Sequence, residues 1–219
     1  MIARELISET VSPLRTSDLG EEAITMMNIF HVKHLPIVNN EQLLGVISED
    51  EILSHDLNEA IGSYHLSMRR PYANMEDHMF EVMATMGENN LTVIPVVNDE
   101  GNYKGLITQD DIIQFYANSF SFTERGSILV LKTSKRDYSL AEISRIIEME
   151  NAAILSTFLT QSPDSEEILV TLKLNVKEIQ RIIATLERYE YTIKATFSEM
   201  EYMDSLKERY DALMHFLNV

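Results

Sequence analysis

The sequence contains a hydroxyl and a carboxylate whose types and spacing suit the binding of a sugar. Thr108 follows an apolar β-branched run and is an N-cap candidate for a helix that begins at Gln109. Asp111 then lies in the first helical turn, where the helix dipole favours an acid. At such a strand-to-helix corner both side chains point into one cleft, and a carboxylate can accept two hydrogen bonds from a vicinal diol such as a ribose. The pair therefore predicts a ligand-binding site.

Two predicted strands position this pair. Val93–Val97 is a short β-branched run with one proline, residues 98–101 supply turn-forming side chains, and Tyr103–Thr108 returns as a second strand. The sequence therefore predicts a hairpin that leads directly into a helix.

An internal repeat is the strongest signal in the chain. Residues 35–53 align on the hairpin and helix start, which places Ser48 on Thr108 and Glu51 on Asp111. The alignment extends backwards through a helix in each unit, with repeats over about 11–56 and 70–119. Because one unit cannot cover its own sheet, we expect the repeats to pack face to face as a pseudo-twofold pair.

These residues resemble the tandem CBS-domain pair, or Bateman module. Its signature is a Leu/Ile-Pro-Val-Val strand, a turn, and Gly-h-h-Thr/Ser-x-x-Asp at the start of the last helix. Residues 105–111, GLITQDD, fit this signature, whereas residues 45–51, GVISEDE, end in Glu51 where the family has Asp. The resemblance implies that the Asp binds the ribose of an adenosine ligand and that the second repeat holds the better site.

The resemblance also implies the remainder of a nucleotide site. The backbone of the first strand of the second repeat would read the adenine edge, and an arginine before that repeat would meet a phosphate. The alternative for the arginines is ordinary pairing with nearby acids. The implied ligand-binding residues, beside Thr108 and Asp111, are Val93, Ile94, Pro95, Arg69, Arg70, Ser48 and Glu51. The candidate ligands are AMP, ADP, ATP and S-adenosylmethionine.

The C-terminal half has a different pattern. Residues 120–125 break the repeat, and residues 126–199 follow the order βαββαβ, which predicts a ferredoxin-like antiparallel sheet with both helices on one face. After a CBS pair this order resembles an ACT domain, so the chain resembles bacterial CBS-ACT proteins of the acetoin-utilisation (AcuB) type. ACT domains bind amino acids near a glycine after the first strand. Residues 133–139 contain no glycine, so we expect a structural, sheet-pairing role and an α/β (α+β) chain overall.

Both ends of the chain are predicted to be helical. Residues 1–12 read as a short helix that caps the first repeat. Residues 200–219 read as an amphipathic helix of two heptads, which is too short for a free-standing coiled coil. Its apolar stripe is expected to pack either on the chain's own body or on a second subunit.

Composition limits the possible partners. The net charge is −17, with 20 acidic and 7 basic residues up to Arg125 against 15 and 11 after it. Phosphate backbones would be repelled, so we expect no nucleic-acid binding. The absence of cysteine, of a membrane-length apolar run and of a signal-like start predicts a cytoplasmic protein without a membrane role. His31 and His34 lack a third ligand at a recognisable spacing, so they are expected to be boundary residues rather than metal ligands.

No catalytic motif is present in the sequence, so we expect a protein that is not an enzyme. One hypothesis is a regulatory sensor, in which an adenine nucleotide or related adenosyl compound shifts the packing of the repeats. The alternative is a ligand-free structural module that dimerises and binds a protein partner. Under either hypothesis the repeated surface, the sheet and the terminal stripe predict a homodimer.

Overall fold

The computed structural model describes residues 1–8, 10–64, 71–161, 166–197 and residue 214. These residues form two compact units that divide between Ala117 and Asn118. The predicted helix over residues 200–219 lies outside the described residues, apart from Met214, which is helical. None of the helices in the described part of the chain is long and apolar enough to cross a membrane.

The first unit contains the two repeats. The first repeat consists of helix α1 (Gly20–Phe30), strands β1 (His34–Asn39) and β2 (Gln42–Ser48) and helix α2 (Glu49–Leu53). The second repeat consists of strand β3 (Ala73–Asn74), helix α3 (Met79–Glu88), strands β4 (Val93–Val97) and β5 (Tyr103–Thr108) and helix α4 (Gln109–Ala117). Each hairpin is antiparallel, and β3 adds a short parallel pair to β4. The predicted hairpin and helix start of the second repeat are confirmed.

The two repeats share their hydrophobic cores. Val93 and Leu106 of the second repeat are fully buried in the core of the first repeat. In return, Val46 of the first repeat packs in the core of the second, beside Ile94 and Ile107. Burial of apolar surface stabilises the folded state by about 25 cal/mol per Å². Each hairpin therefore stabilises the other repeat as well as its own. The expected face-to-face packing of the pair is confirmed.

The N-terminal residues differ from the prediction. Only one turn of 3-10 helix forms, over Ala3–Glu5, and it covers the second repeat rather than the first. Ala3 N–H donates to the carbonyl of Asp77 at 2.9 Å, and Arg4 N–H donates to the carbonyl of Met75 at 3.1 Å. An isolated helix of about twelve residues is marginal in water. Pairing with the loop before α3 satisfies these backbone groups and buries Ala3 and Leu6.

The second unit has the predicted ferredoxin-like topology. After a short helix α5 (Phe120–Thr123), it consists of strand β6 (Ile128–Ser134), helix α6 (Leu140–Met149), strands β7 (Ile154–Gln161) and β8 (Glu167–Leu174), helix α7 (Gln180–Arg188) and strand β9 (Thr192–Phe197). The sheet order is β7-β8-β6-β9, and all three pairs are antiparallel. Alternate residues of β8 from Ile168 to Leu174 are buried with apolar residues of both helices in one core.

Candidate functional site

A cleft of about 350 Å³ opens at the end of β2 in the first unit. Both repeats contribute to its wall. The lining residues are His34, Val46, Ser48, Glu51, Pro71, Asn89 and Leu91. Its volume is at the lower end of the range for small-molecule sites, which is about 300–1,000 Å³. A ligand in this cleft would therefore touch the first repeat and the loop between α3 and β4 of the second.

Ser48 and Glu51 both line this cleft because β2 ends where α2 begins. Ser48 is the N-cap of α2, and its Oγ accepts a hydrogen bond from the Glu51 N–H at 3.2 Å. That bond leaves the Ser48 hydroxyl proton available as a donor. Among the described residues, the Glu51 carboxylate has no hydrogen-bond partner, so its oxygens can accept from a ligand. A donor and an acceptor thus stand together at this corner.

His34 also lines the cleft, at the start of β1, where it pairs with Ser48. Its Nδ1 accepts a hydrogen bond from the backbone N–H of Thr92 at 3.2 Å. Burial lowers the pKa of His34 below its ordinary value, against the smaller opposing effect of the Asp50 charge. The neutral ring therefore carries its proton on Nε2 and adds a second donor to the cleft.

The second repeat contributes Asn89, Leu91 and Pro71 to the cleft. The Asn89 side-chain amide donates to the carbonyl of Thr85 at 2.8 Å, which leaves its carbonyl oxygen available as an acceptor. Pro71 follows directly after the two arginines that the sequence suggests as phosphate ligands. Arg69 and Arg70 themselves lie outside the described residues.

The equivalent corner of the second repeat is arranged differently. The Asp111 carboxylate accepts from the backbone N–H and the hydroxyl of Thr108 at 2.8 and 2.7 Å, and the Asp111 N–H donates to Thr108 Oγ1 at 3.0 Å. This is a reciprocal capping box at the start of α4. Ser8 N–H also donates to the carbonyl of Leu106 at 2.8 Å, so the N-terminal residues lie beside this corner. The side chains best matched to the family signature are thus engaged with each other.

The structure places the other predicted site residues in the interior. Val93 and Ile94 are fully buried, and Pro95 is also buried in β4. Sequence reasoning treated His34 as a boundary residue and did not single out Asn89. The signal that could have identified His34 is its alignment on Val93, because a polar ring in a position that is apolar in the other repeat suggests a function. Among the described residues no cluster of His, Cys, Asp and Glu could hold a metal ion.

A family model and several known proteins match part of this chain. The family model described as "CBS domain" matches residues 3–58 and 61–118, about half of the chain. An uncharacterized protein of Methanocaldococcus jannaschii is 31% identical over 125 residues, which are 54% of this chain and 44% of that protein. This chain spans less than half of the length of the curated relatives it matches.

Two solved structures are also similar. A CBS domain pair/ACT domain protein from Thermotoga maritima is 16% identical, with a TM-score of 0.48, over 55% of this chain and 99% of that chain. The structure of CBSX2 in complex with AMP is 16% identical, with a TM-score of 0.45, over 52% of this chain and 95% of that chain. Since the family model covers both repeats, the chain belongs to the family of proteins with CBS domains.

Proposed function

We propose that this protein is a non-catalytic regulator that binds an adenosyl ligand in the cleft of the first repeat. Proteins of the CBS family are regulatory and bind adenosine ligands. The observation that carries the proposal is the Glu51 carboxylate, which lines the cleft beside the Ser48 hydroxyl and the His34 ring. A carboxylate next to donors suits a ribose diol, and the volume suits a ligand of about one nucleoside.

The same cleft supports regulation because both repeats line it. His34, Ser48 and Glu51 belong to the first repeat, while Asn89 and Leu91 belong to the second. A ligand that contacts both repeats stabilises the arrangement in which those contacts form, and it thereby shifts the packing of the pair. AMP, ADP, ATP and S-adenosylmethionine are the ligands to test, and Arg69 and Arg70 are the proposed partners of a phosphate group.

The sequence favoured the second repeat, and that preference stays a prediction. The Thr108–Asp111 capping box supports the first repeat instead, because a ligand at Asp111 would have to compete with two existing hydrogen bonds. Glu51 is longer than the aspartate of the family signature, and its carboxylate has no such competition among the described residues.

The test is a binding measurement on two matched variants. Glu51→Gln removes the charge of the proposed ribose acceptor, whereas Glu49→Gln removes the same charge two residues away, outside the cleft lining. A charge-assisted hydrogen bond contributes about 1.5–3 kcal/mol. We therefore expect Glu51→Gln to weaken calorimetric binding of the tightest adenosyl ligand by roughly tenfold to 150-fold. Equal affinities of the two variants would contradict a site at Glu51.

A second candidate function is a structural dimerisation module, favoured by the edge strand β7 of the second unit. Among the described residues, β7 pairs only with β8, and Phe158 and Leu159 on it are 46% and 51% exposed. An exposed apolar edge is a template for pairing with another chain. We infer that the ACT-like second unit pairs two chains into a homodimer, which can also bind a protein partner. Light scattering that gave a mass near the 25.1 kDa of one chain at micromolar concentration would contradict this inference.

A further inference from the structure

His34 connects the two repeats at the wall of the cleft. The backbone N–H of Thr92 donates to His34 Nδ1 at 3.2 Å, and the backbone N–H of Lys33 donates to Thr92 Oγ1 at 2.9 Å. Lys33 and Thr92 occupy equivalent positions of the two repeats, since each carbonyl accepts from the first residue of the helix that follows, Glu49 or Gln109. The contact therefore joins equivalent positions of the two repeats.

The protonation state of His34 follows from its partner. A backbone N–H can only donate, so Nδ1 must carry a free electron pair. The Thr92 hydroxyl lies 3.2 Å from the same nitrogen, and it can donate to Nδ1 only while that nitrogen is unprotonated. If Nδ1 carried a proton, the ring N–H and the Thr92 N–H would be two donors facing each other, and the hydrogen bond between them would be lost.

The imidazole occurs in only one of the two repeats. The residue equivalent to His34 in the second repeat is Val93, which is fully buried and cannot titrate. A change in the protonation of His34 therefore acts on the first-repeat cleft, because His34 lines it. Such a change has no counterpart in the second repeat.

We propose that Thr92 of the second repeat holds His34 as an Nε2–H donor in the first-repeat cleft, and that protonation at Nδ1 breaks the hydrogen bond between Thr92 and His34 and weakens binding there. Thr92 is thus the positioning residue, and His34 is the ligand-binding residue that makes the CBS pair sensitive to pH. The effect on ligand binding rests on the proposed function, whereas the effect on the hydrogen bond between Thr92 and His34 does not.

Burial sets the direction of the effect, and the charged groups that face His34 modify it. Asp50 of α2 favours the protonated ring, and Lys33 in the preceding loop disfavours it. Glu51 of α2 lines the same cleft and adds a second negative charge. Burial is the largest influence and lowers the pKa of His34. As the pH falls below the ordinary value of 6.5, the unfolded chain binds the proton first, so folded stability is lost.

The decisive variant is His34→Asn. The Asn Oδ1 atom takes the place of Nδ1 as an acceptor for the Thr92 N–H, but the side chain does not titrate. His55→Asn is the matched control, because His55 stacks on Tyr64 and does not line the cleft. We expect the melting temperature of the ligand-free protein to fall, between pH 7.5 and 5.5, by several degrees less in His34→Asn than in wild type or His55→Asn. Equal falls in all three proteins would overturn the proposal.

Two further measurements test the contact between His34 and Thr92 separately from ligand binding. Nitrogen-15 chemical shifts of the His34 ring at pH 7.5 should report the Nε2–H tautomer, and an Nδ1–H tautomer would overturn the proposal. AMP affinity should fall several-fold more in wild type than in His34→Asn between pH 7.5 and 5.5, a comparison that cancels the titration of AMP itself. If neither protein binds AMP, the proposed ligand site fails for this probe, while the melting temperatures and chemical shifts still test the contact between His34 and Thr92.

Discussion

The carboxylate of Asp111 is bound to Thr108, its partner across the capping box of α4, by two hydrogen bonds of 2.8 and 2.7 Å. Ser48 and Glu51, at the equivalent positions, form only the bond from the Glu51 N–H to Ser48 Oγ. The two repeats therefore use the same sequence positions for different tasks. In the second repeat the acid stabilises a helix start, whereas in the first repeat it lines a cleft.

This difference predicts opposite effects of two equivalent substitutions on the ligand-free protein. Asp111→Ala removes the cap partner of Thr108, so we expect the free energy of unfolding to fall by about 0.5–2 kcal/mol. Glu51→Ala removes a side chain without a described partner and should change that free energy by less than about 0.5 kcal/mol. Urea denaturation of both variants is the measurement, and equal losses would contradict the division of tasks.

The close packing of Gly105 against Ile7 predicts a second effect. A Cβ at Gly105 would overlap Ile7 Cγ2, and the φ of +152° disfavours other residues. We expect Gly105→Ala to destabilise the protein by about 1–3 kcal/mol, as overpacking does. In an Ile7→Ala background the same substitution should cost less, because the overlapping methyl group is absent.

A double-mutant cycle by chemical denaturation measures this coupling. Strict additivity of Gly105→Ala and Ile7→Ala would show that the N-terminal residues do not pack on β5.

The Tyr191 hydroxyl predicts an alkaline pH dependence in the second unit. It donates to the Glu142 carboxylate at 2.9 Å, and burial, with a smaller contribution from Glu142, raises the pKa of Tyr191 to about 12. The folded state therefore keeps the phenolic proton at a pH where the unfolded chain releases it. Stability from this group is complete below pH 10, its ordinary pKa, and is lost as the pH rises towards 12.

Unfolding of wild type and Tyr191→Phe at pH 8 and pH 11 tests this expectation. The variant should be less stable by about 1 kcal/mol at pH 8, because it lacks the hydrogen bond, and should lose less stability on going to pH 11. Parallel losses in the two proteins would show that Tyr191 does not cause the alkaline effect.

The second unit is expected to fold without the repeats. Among the described residues, its core consists of side chains between Leu129 and Ile193. We expect a fragment of residues 118–219 to show a cooperative thermal transition and dispersed amide resonances. A broad, non-cooperative transition would mean that the second unit depends on the CBS pair for stability.

Much of the fold could be predicted because local patterns and long-range packing agree. The repeat placed Ser48 on Thr108 and Glu51 on Asp111, and the β-branched run at 93–97 with the return at 103–108 predicted the hairpin correctly. Apolar residues alternate along β8 from Ile168 to Leu174, and the same residues form the buried face of the second sheet. At the start of α6, Ser139 Oγ accepts from the Glu142 N–H at 3.3 Å, but the Glu142 carboxylate accepts from Tyr191 instead of completing a capping box.

The N-terminal residues show where sequence patterns fail. Their apolar spacing suits a helix, but the open backbone of the loop before α3 offers partners that a sequence pattern cannot reveal. Propensity over such a short segment is weak, so tertiary hydrogen bonds decide its structure.

The sequence by itself determined the doubled architecture, the hairpins and the residue types at both candidate corners, because these depend on periodicity and alignment within the chain. Only the tertiary structure decided which corner is available to a ligand. Thr92 is 58 positions from His34, and Asn89 is 38 positions from Glu51. Packing the repeats face to face brings these residues to one cleft, and the same packing leaves Asp111 bound to Thr108 beside the N-terminal residues.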